Sequence, residues 1–305
     1  MKKFDITFLT DSRYVNPEEI NPYIQNILDE DVLVIQALEE RGLSVNRVDW
    51  ADPNYDWQSV KFALFRTTWD YFDRIDEFMT WLNATKDKVK FINPIELILW
   101  NLDKHYLQDL AEKGVNITDT IFIEPGDKTA LSKVFHAAQF TDAILKPAIS
   151  GSARHTYKLS ENNLADHEAI FQELIAQESM LLQPFQYSVL EKGEVALMFF
   201  GGKYSHAVLK VAKPSEFRVQ SEFGGTIHNY SPSANEIKLA EKALQVCDPT
   251  PIYARIDIID DNNGKPAVSE LEIIEPELWF RLHPPSATTM AEAIITHIAK
   301  EGQTT

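Results

Sequence analysis

From Met1 to about Pro94 the apolar positions switch repeatedly between the two-residue period of a strand and the 3.6-residue period of a helix. FDITFLT reads as a strand, VLVIQALEERG as a helix, SVNRVDW and FALFRT as further strands, RIDEFMTWLNAT as a second helix and VKFIN as a short strand. Gly42 falls where a helix C-cap belongs. Strands alternating with helices imply a mostly parallel sheet, whose ligands bind beyond the strand carboxyl ends. The end of FALFRTTWDYF is such a place.

From Asn101, LDKHYLQDLAEKG sets Leu102, Tyr106, Leu107 and Leu110 on one helical stripe that Gly114 stops. TIFIE and AILKP read as strands, SENNLADHEAIFQELIAQES as a capped helix, and MLLQPF as a strand. After Gln183 the pattern changes to hairpins. EVALMFF and KYSHAVLKV flank a Gly-Gly turn, and the Gly-containing FRVQSEFGGTIHNY leads to an amphipathic helix near NEIKLAEKALQV. SATTMAEAIITHIAK closes the chain as a helix, and no internal repeat or low-complexity tract interrupts the order.

Between those last two helices the alternation carries charge. Ile256 and Ile258 flank Asp257, while Leu271 and Ile273 interleave with Glu270 and Glu272, so each arm has one apolar and one ionised face. DDNNGKP has the chemistry of a hairpin connection. A turn centred between Asn263 and Gly264 sets Asp257 opposite Glu270 and Arg255 opposite Glu272. Like charges facing each other across a sheet are destabilising, and one arginine does not offset three acids. A divalent cation held by carboxylate oxygens is one remedy; a solvated outer face protected against edge pairing is the other reading.

Composition narrows the partners. The 305 residues are 44% hydrophobic and 25% charged, ordinary for a folded domain protein, and the formal charge of -17 argues against nucleic acid or an anionic membrane as partner. An anionic ligand therefore needs local cations. The single Cys247 can make neither an internal disulfide nor a thiolate cage, the N-terminus has no signal-like apolar core, and no window has the length of a membrane span, so a cytoplasmic protein is expected. A homodimer stays open.

Several cations stand near small residues. Lys146, in ILKPAISGSARH, ends an apolar strand before Ser-Gly-Ser, a place where backbone N–H groups can approach phosphate. No GxxxxGK[ST] occurs, so this is not a P-loop, and a surface lysine on an ordinary turn is the alternative. Lys104 lies in the first turn of its helix, against the macrodipole, and Arg218 lies beside Gly224 and Gly225. Gln183 and Phe185 end a strand where the organisation changes.

The order of these features resembles the ATP-grasp superfamily over roughly Pro94 to Ala287. Within it, RTTWDY, NPIELILWNLDKHYL, GEVALMFFGGKYSHAVLK, FRVQSEFGG and ELEIIEPELW look most similar to the glutathione-synthetase-like group that includes the cycloserine-forming ligase of antibiotic biosynthesis. The resemblance implies an α/β (α+β) chain: an N-terminal α/β domain over 1–95 and ATP-grasp subdomains over 96–185 and 186–305. It implies that Lys104 and Lys146 contact ATP phosphates and that Ser150, Gly151 and Ser152 form the closing loop. Gln183 and Phe185 would line the adenine site, Glu191 would meet the ribose, and Asp257, Glu270 and Glu272 would hold Mg²⁺, or Mn²⁺ in its place. Arg218, Lys146 and Arg255 are the catalytic cations on this reading. Glu272 departs from the Asn that many members carry, and Ala153 makes the loop poorer in glycine than many relatives.

The implied reaction is ATP-dependent ligation of a small carboxylate and an amine through an acylphosphate, which positioning and charge neutralisation can drive without a covalent nucleophile on the protein. The product is a peptide bond or a closed ring, from an amino-acid-like substrate. Arg66, Trp69 and Asp70 at a strand end, and Arg281 with His283 after the acidic arm, are the expected substrate residues, with Arg66 and Arg281 as the carboxylate clamp. The rivals are an ATP-binding protein without turnover, a small-molecule kinase, and a carbohydrate or peptide binder with a solvated acidic face.

Overall fold

A computed structural model of the chain describes residues 2–302. The first ninety positions build the expected parallel sheet, ordered β2-β1-β3-β4, from β1 (Phe4–Thr10), β2 (Val45–Asp49), β3 (Val60–Thr67) and β4 (Lys90–Ile92). A second sheet is antiparallel, ordered β5-β8-β6-β7, with β5 (Ile121–Ile123), β6 (Asp142–Pro147), β7 (Tyr157–Ser160) and β8 (Met180–Pro184). The third, also antiparallel, is ordered β11-β10-β9-β12-β13: β9 (Glu194–Phe200), β10 (Lys203–Val211), β11 (Thr226–Tyr230), β12 (Tyr253–Asp260) and β13 (Pro266–Glu272).

Two differences from the periodic pattern have local causes. The helix expected at Val32 begins at Pro22 and runs to Glu39, started by Asn21, whose side chain accepts from the Ile24 N–H, and by proline in its first turn. Its first turns are largely exposed, so the apolar stripe that betrays a helix is missing there. In LDKHYLQDLAEKG the helix begins only at Tyr106 and ends at Glu112, and Lys104 lies in the break between it and the preceding helix Ile95–Asn101. The four stripe residues are all buried nonetheless. The polar strand β7 carries little pattern, whereas helix Leu131–Ala138, absent from the sequence expectations, does place Leu131, Val134, Phe135 and Ala138 at helical spacing.

The first and third sheets share one core: Ile6, Phe8 and Leu64 pack in one cluster with Met198, Phe200, Met290 and Ile294. The second sheet has its own, around Leu145, Leu159, Phe171 and Leu182. Two buried asparagines fix the acidic arm to what precedes it. Asn93 donates to the carbonyls of Tyr253 and Ile273, and Asn101 donates to Leu271 O while accepting from Ile273 N. Such bonds satisfy strand groups that would otherwise be stranded away from water, and they hold β13 in one position. Among the described residues no helix is long and apolar enough to cross a membrane.

Candidate active site

The acidic hairpin has the expected pairing where it matters: Arg255 faces Glu272 and Asp257 faces Glu270. The turn is centred on Asn263 instead of between Asn263 and Gly264, with Asp261 N bonded to Lys265 O, and a bulge compensates: Ile258 pairs with Val268, leaving Ser269 without a partner in the ladder. Ser269 instead donates to Glu194 at 3.0 Å. Asp257, Glu270 and Glu272 each offer an oxygen within 4.8 Å of the others.

Charge balance around these acids is tight. Arg255 donates through Nε and Nη2 to Asp257, both at 2.9 Å, and also pairs with Glu272. Lys210, near the carboxyl end of β10, lies 2.7 Å from Asp257 Oδ2 and pairs with Glu194 as well. Lys104 lies 3.1 Å from Glu270 Oε1 and donates to Ser150 O at 2.6 Å. Burial would raise the Asp257 carboxyl, but Arg255 and Lys210 outweigh it and hold it below the usual range. For Glu270 burial is likewise outweighed, by Lys104 and Lys146. Glu272 behaves oppositely: burial, with repulsion from Glu270 and Asp257, pushes it up to about 8 despite Arg255. The trio is thus short of positive charge, and three oxygen donors this close fit a hard divalent cation.

Lys146, on β6, lines the same cavity and makes no hydrogen bond or ion pair among the described residues. Burial and the neighbouring Lys104 lower its pKa, against the pull of Glu270. The following loop holds Ser152, Ala153 and His155 at φ of 47°, 55° and 47°, a left-handed region that side chains with a Cβ disfavour. Arg154 anchors it, 2.8 Å from Glu178 and 3.2 Å from Asp73. A Cβ on Gly151 would come 2.5 Å from Phe72 Cε1, so only glycine lets the loop approach the first domain this closely.

Gln183 and Phe185 line the cavity as expected. The Gln183 side chain donates to Thr120 Oγ1 at 2.8 Å, and Lys158 Nζ stands 4.1 Å from the Phe185 ring centre. Arg218 also lines it, held by Glu216 at 2.7 Å and stacked 3.7 Å over Phe223. Glu191 is a correction: it is exposed on the short helix Ser188–Glu191, outside the cavity lining, and Glu194 faces the cavity instead. The GE pair at 193–194 was the available signal.

The substrate expectations fare worse, because most of those side chains already have partners. Asp70 accepts from Trp50 Nε1 and Arg74, Arg281 is taken by Glu30 and Glu277, and His283 stacks 4.9 Å from His206; none lines the cavity. Arg66 is buried, paired with Asp31 at 2.9 Å, and faces a void of about 10 Å³ behind Trp69, so the Arg66–Arg281 clamp is not formed. Trp69 does line the main cavity, its Nε1 donating to Glu275 O at 2.9 Å. Sequence reasoning missed Lys210, Glu194, Tyr71 and Glu275. Lys210 had a signal, a charge inside an apolar strand.

The cavity, about 290 Å³, opens where all three sheets meet. Two antiparallel sheets clasping a cleft behind a parallel one make the ATP-grasp fold, and in it the chain is similar to ATP-grasp ligases that form carbon–nitrogen bonds. Residues 6–93 match the family described as the N-terminal domain of D-cycloserine synthetase DcsG. The chain is 28% identical over 279 residues to the cycloserine biosynthesis protein DcsG of Streptomyces lavendulae, covering 86% of this chain and 91% of that protein. The crystal structure of D-cycloserine synthetase DcsG superposes with a TM-score of 0.82 at 26% identity, over 96% of this chain and 99% of that one. At 14% and 16% identity only the fold is shared with D-alanine–D-alanine ligase of Bacillus anthracis complexed with ATP (TM-score 0.64, 98% and 99% covered) and with the ATP-grasp ligase PsnB holding a minimal precursor, Mg and ADP (0.58, 95% and 97%).

Proposed function

We propose that the protein uses MgATP to phosphorylate the carboxylate of a small amino-acid-like substrate and then joins the resulting acylphosphate to an amine. The observation that carries this reading is Lys146, a desolvated cation without a partner, beside Lys104 and across one cavity from a carboxylate trio short of positive charge. Such a cleft is complete only with a polyanion on its cations and a metal on its acids.

Asp257, Glu270 and Glu272 would hold the ion, which supplies charge neutralisation for the phosphates. A substrate carboxylate oxygen attacks the γ-phosphorus and ADP leaves; the amine then attacks the acyl carbon and inorganic phosphate leaves. Lys104, Lys146 and Arg218 offset the charge that develops during the first step, and Arg255 keeps Asp257 ionised and holds Glu272 in place. Gln183 and Phe185 wall the adenine end. The Ser150–Ser152 loop, tied to the first domain through Arg154, would exclude the water that hydrolyses an acylphosphate. The similarity to a cycloserine synthetase supports closure of a ring within one substrate over joining two.

Hydroxylamine trapping is the test. With MgATP and the substrate acid, hydroxylamine should intercept the acylphosphate as a hydroxamate in amounts matching the ADP formed. ADP without hydroxamate, accompanied by a stable phosphorylated product, would point to a kinase instead.

A further inference from the structure

Where β8 runs out into the cavity wall, the main-chain groups are already bonded. Pro184 O accepts from Gln186 Nε2 and Phe185 O from Asn262 Nδ2, both at 2.9 Å, and Phe185 N donates to Asp142 O. The Gln183 side chain is different. It is 6% exposed and lines the cavity, and among the described residues its Oε1 accepts no hydrogen bond.

A second observation fixes which way that amide points. β5 and β8 pair antiparallel with Ile121 opposite Leu182, so Thr120 falls opposite Gln183, one step outside β5. Thr120 Oγ1 donates its only hydrogen to Thr118 O at 2.8 Å and is left as an acceptor. It takes a hydrogen from Gln183 Nε2 at 2.8 Å. Turning the amide over would bring two oxygens together with neither able to donate. Thr118 is itself tied to the third sheet, its N–H donating to Val268 O at 3.4 Å beside the Ile117–Val268 bridge. Thr120 does not line the cavity, so the amide edge turned away from it, the oxygen, is the one presented there.

We infer that Thr120 is a positioning residue that locks the Gln183 amide with Oε1 toward the base of the bound nucleotide, so that the site takes a purine with an amino group at its six position and rejects one with an oxygen there. The inference rests on the nucleotide site proposed above. An amino group on the base donates to Oε1, whereas a six-oxo purine sets oxygen against oxygen away from water and leaves both unpaired. A site built to hydrogen-bond one group rejects the analogue lacking it far more strongly than an apolar wall does. Phe185 and Ile144, which also line the cavity, cannot make this distinction, because purines of both kinds offer the same ring faces.

The experiment needs no acid substrate. Binding of MgATP, MgITP and MgGTP is titrated calorimetrically for the wild type, Thr120→Val and Thr120→Ser, with the unfolding temperature of each protein without nucleotide as the check on its fold. MgITP is the sharper probe, since it carries the six-oxo group without the two-amino group of guanine. The wild type is expected to bind MgATP about tenfold or more tighter than MgITP. Thr120→Val frees the amide to turn, so ATP affinity should fall, ITP affinity should rise, and their ratio should shrink about fivefold or more. Thr120→Ser keeps the hydroxyl and should keep the wild-type ratio. A merely structural role for Thr120 would weaken both nucleotides together. An unchanged ratio in Thr120→Val therefore overturns the inference and leaves the nucleotide site standing, as does a wild type that binds ATP and ITP alike. A wild type that binds none of the three nucleotides overturns the nucleotide site itself.

Discussion

Lys210 Nζ lies 2.7 Å from Asp257 Oδ2, joining the carboxyl end of β10 to the middle of β12 across the intervening strand β9. Both side chains are almost wholly buried, and Arg255 completes the group from the same strand as the acid. Asp257 is therefore a structural ion-pair partner as well as a candidate metal ligand.

Removing one member of such a group leaves a buried charge uncompensated, so Asp257→Asn is expected to cost about 3–5 kcal/mol of stability as well as turnover. Glu270→Gln touches only Lys104 and should cost much less stability for a comparable, roughly hundredfold or larger, loss of rate. Urea unfolding of both variants beside steady-state ADP release separates the two effects. Equal stability losses would mean that the ion pairs around Asp257 contribute little.

Lys146→Met should leave the empty protein as stable as before, or slightly more so, because a desolvated and unpartnered ammonium is replaced by an apolar side chain. Its stabilisation by MgATP should shrink, by about 1.4 kcal/mol for each tenfold loss of affinity. Thermal unfolding with ATP alone, Mg²⁺ alone and both together measures this. An undiminished response would remove Lys146 from the nucleotide site.

His206 is buried, with Nε2 donating to Leu278 O at 2.9 Å, and burial lowers its pKa from the usual 6.5 to about 4, opposed by the bond to the carbonyl and helped by the neighbouring His283. The folded state therefore resists a proton that the unfolded chain accepts. Between pH 6.5 and 4 the unfolded state binds more protons, so stability drops as the pH is lowered through that window, by about 3 kcal/mol in total, and levels off below it. His206→Gln should flatten the slope of unfolding free energy against pH over that interval. An unchanged slope would assign the acid sensitivity to other groups.

Much of this protein was legible along the chain because its signals are local. Period-two and period-3.6 patterns gave the parallel first sheet and the hairpins of the third, and the alternation of Ile256, Asp257 and Ile258 against Glu270, Leu271 and Glu272 gave the acid register. Lys104, Lys146, Ser150, Gly151, Gln183, Phe185 and Arg218 were each marked by a strand end, a helix start or a small-residue loop, and all line one cavity. What chain order cannot carry is which charges are already spent. Arg66 and Arg281 looked free on sequence and are neutralised by Asp31 and Glu30 from distant segments, with Glu277, four residues before Arg281, adding a second acid to it. Glu275 and Lys210 looked ordinary and became, respectively, a cavity-lining carboxyl pushed up to about 7 by burial and the cation of Asp257. Pattern sets which face of an element is apolar; only the packing of three sheets decides which ionised groups meet, because a charge is paired or left over according to neighbours that the sequence keeps far apart.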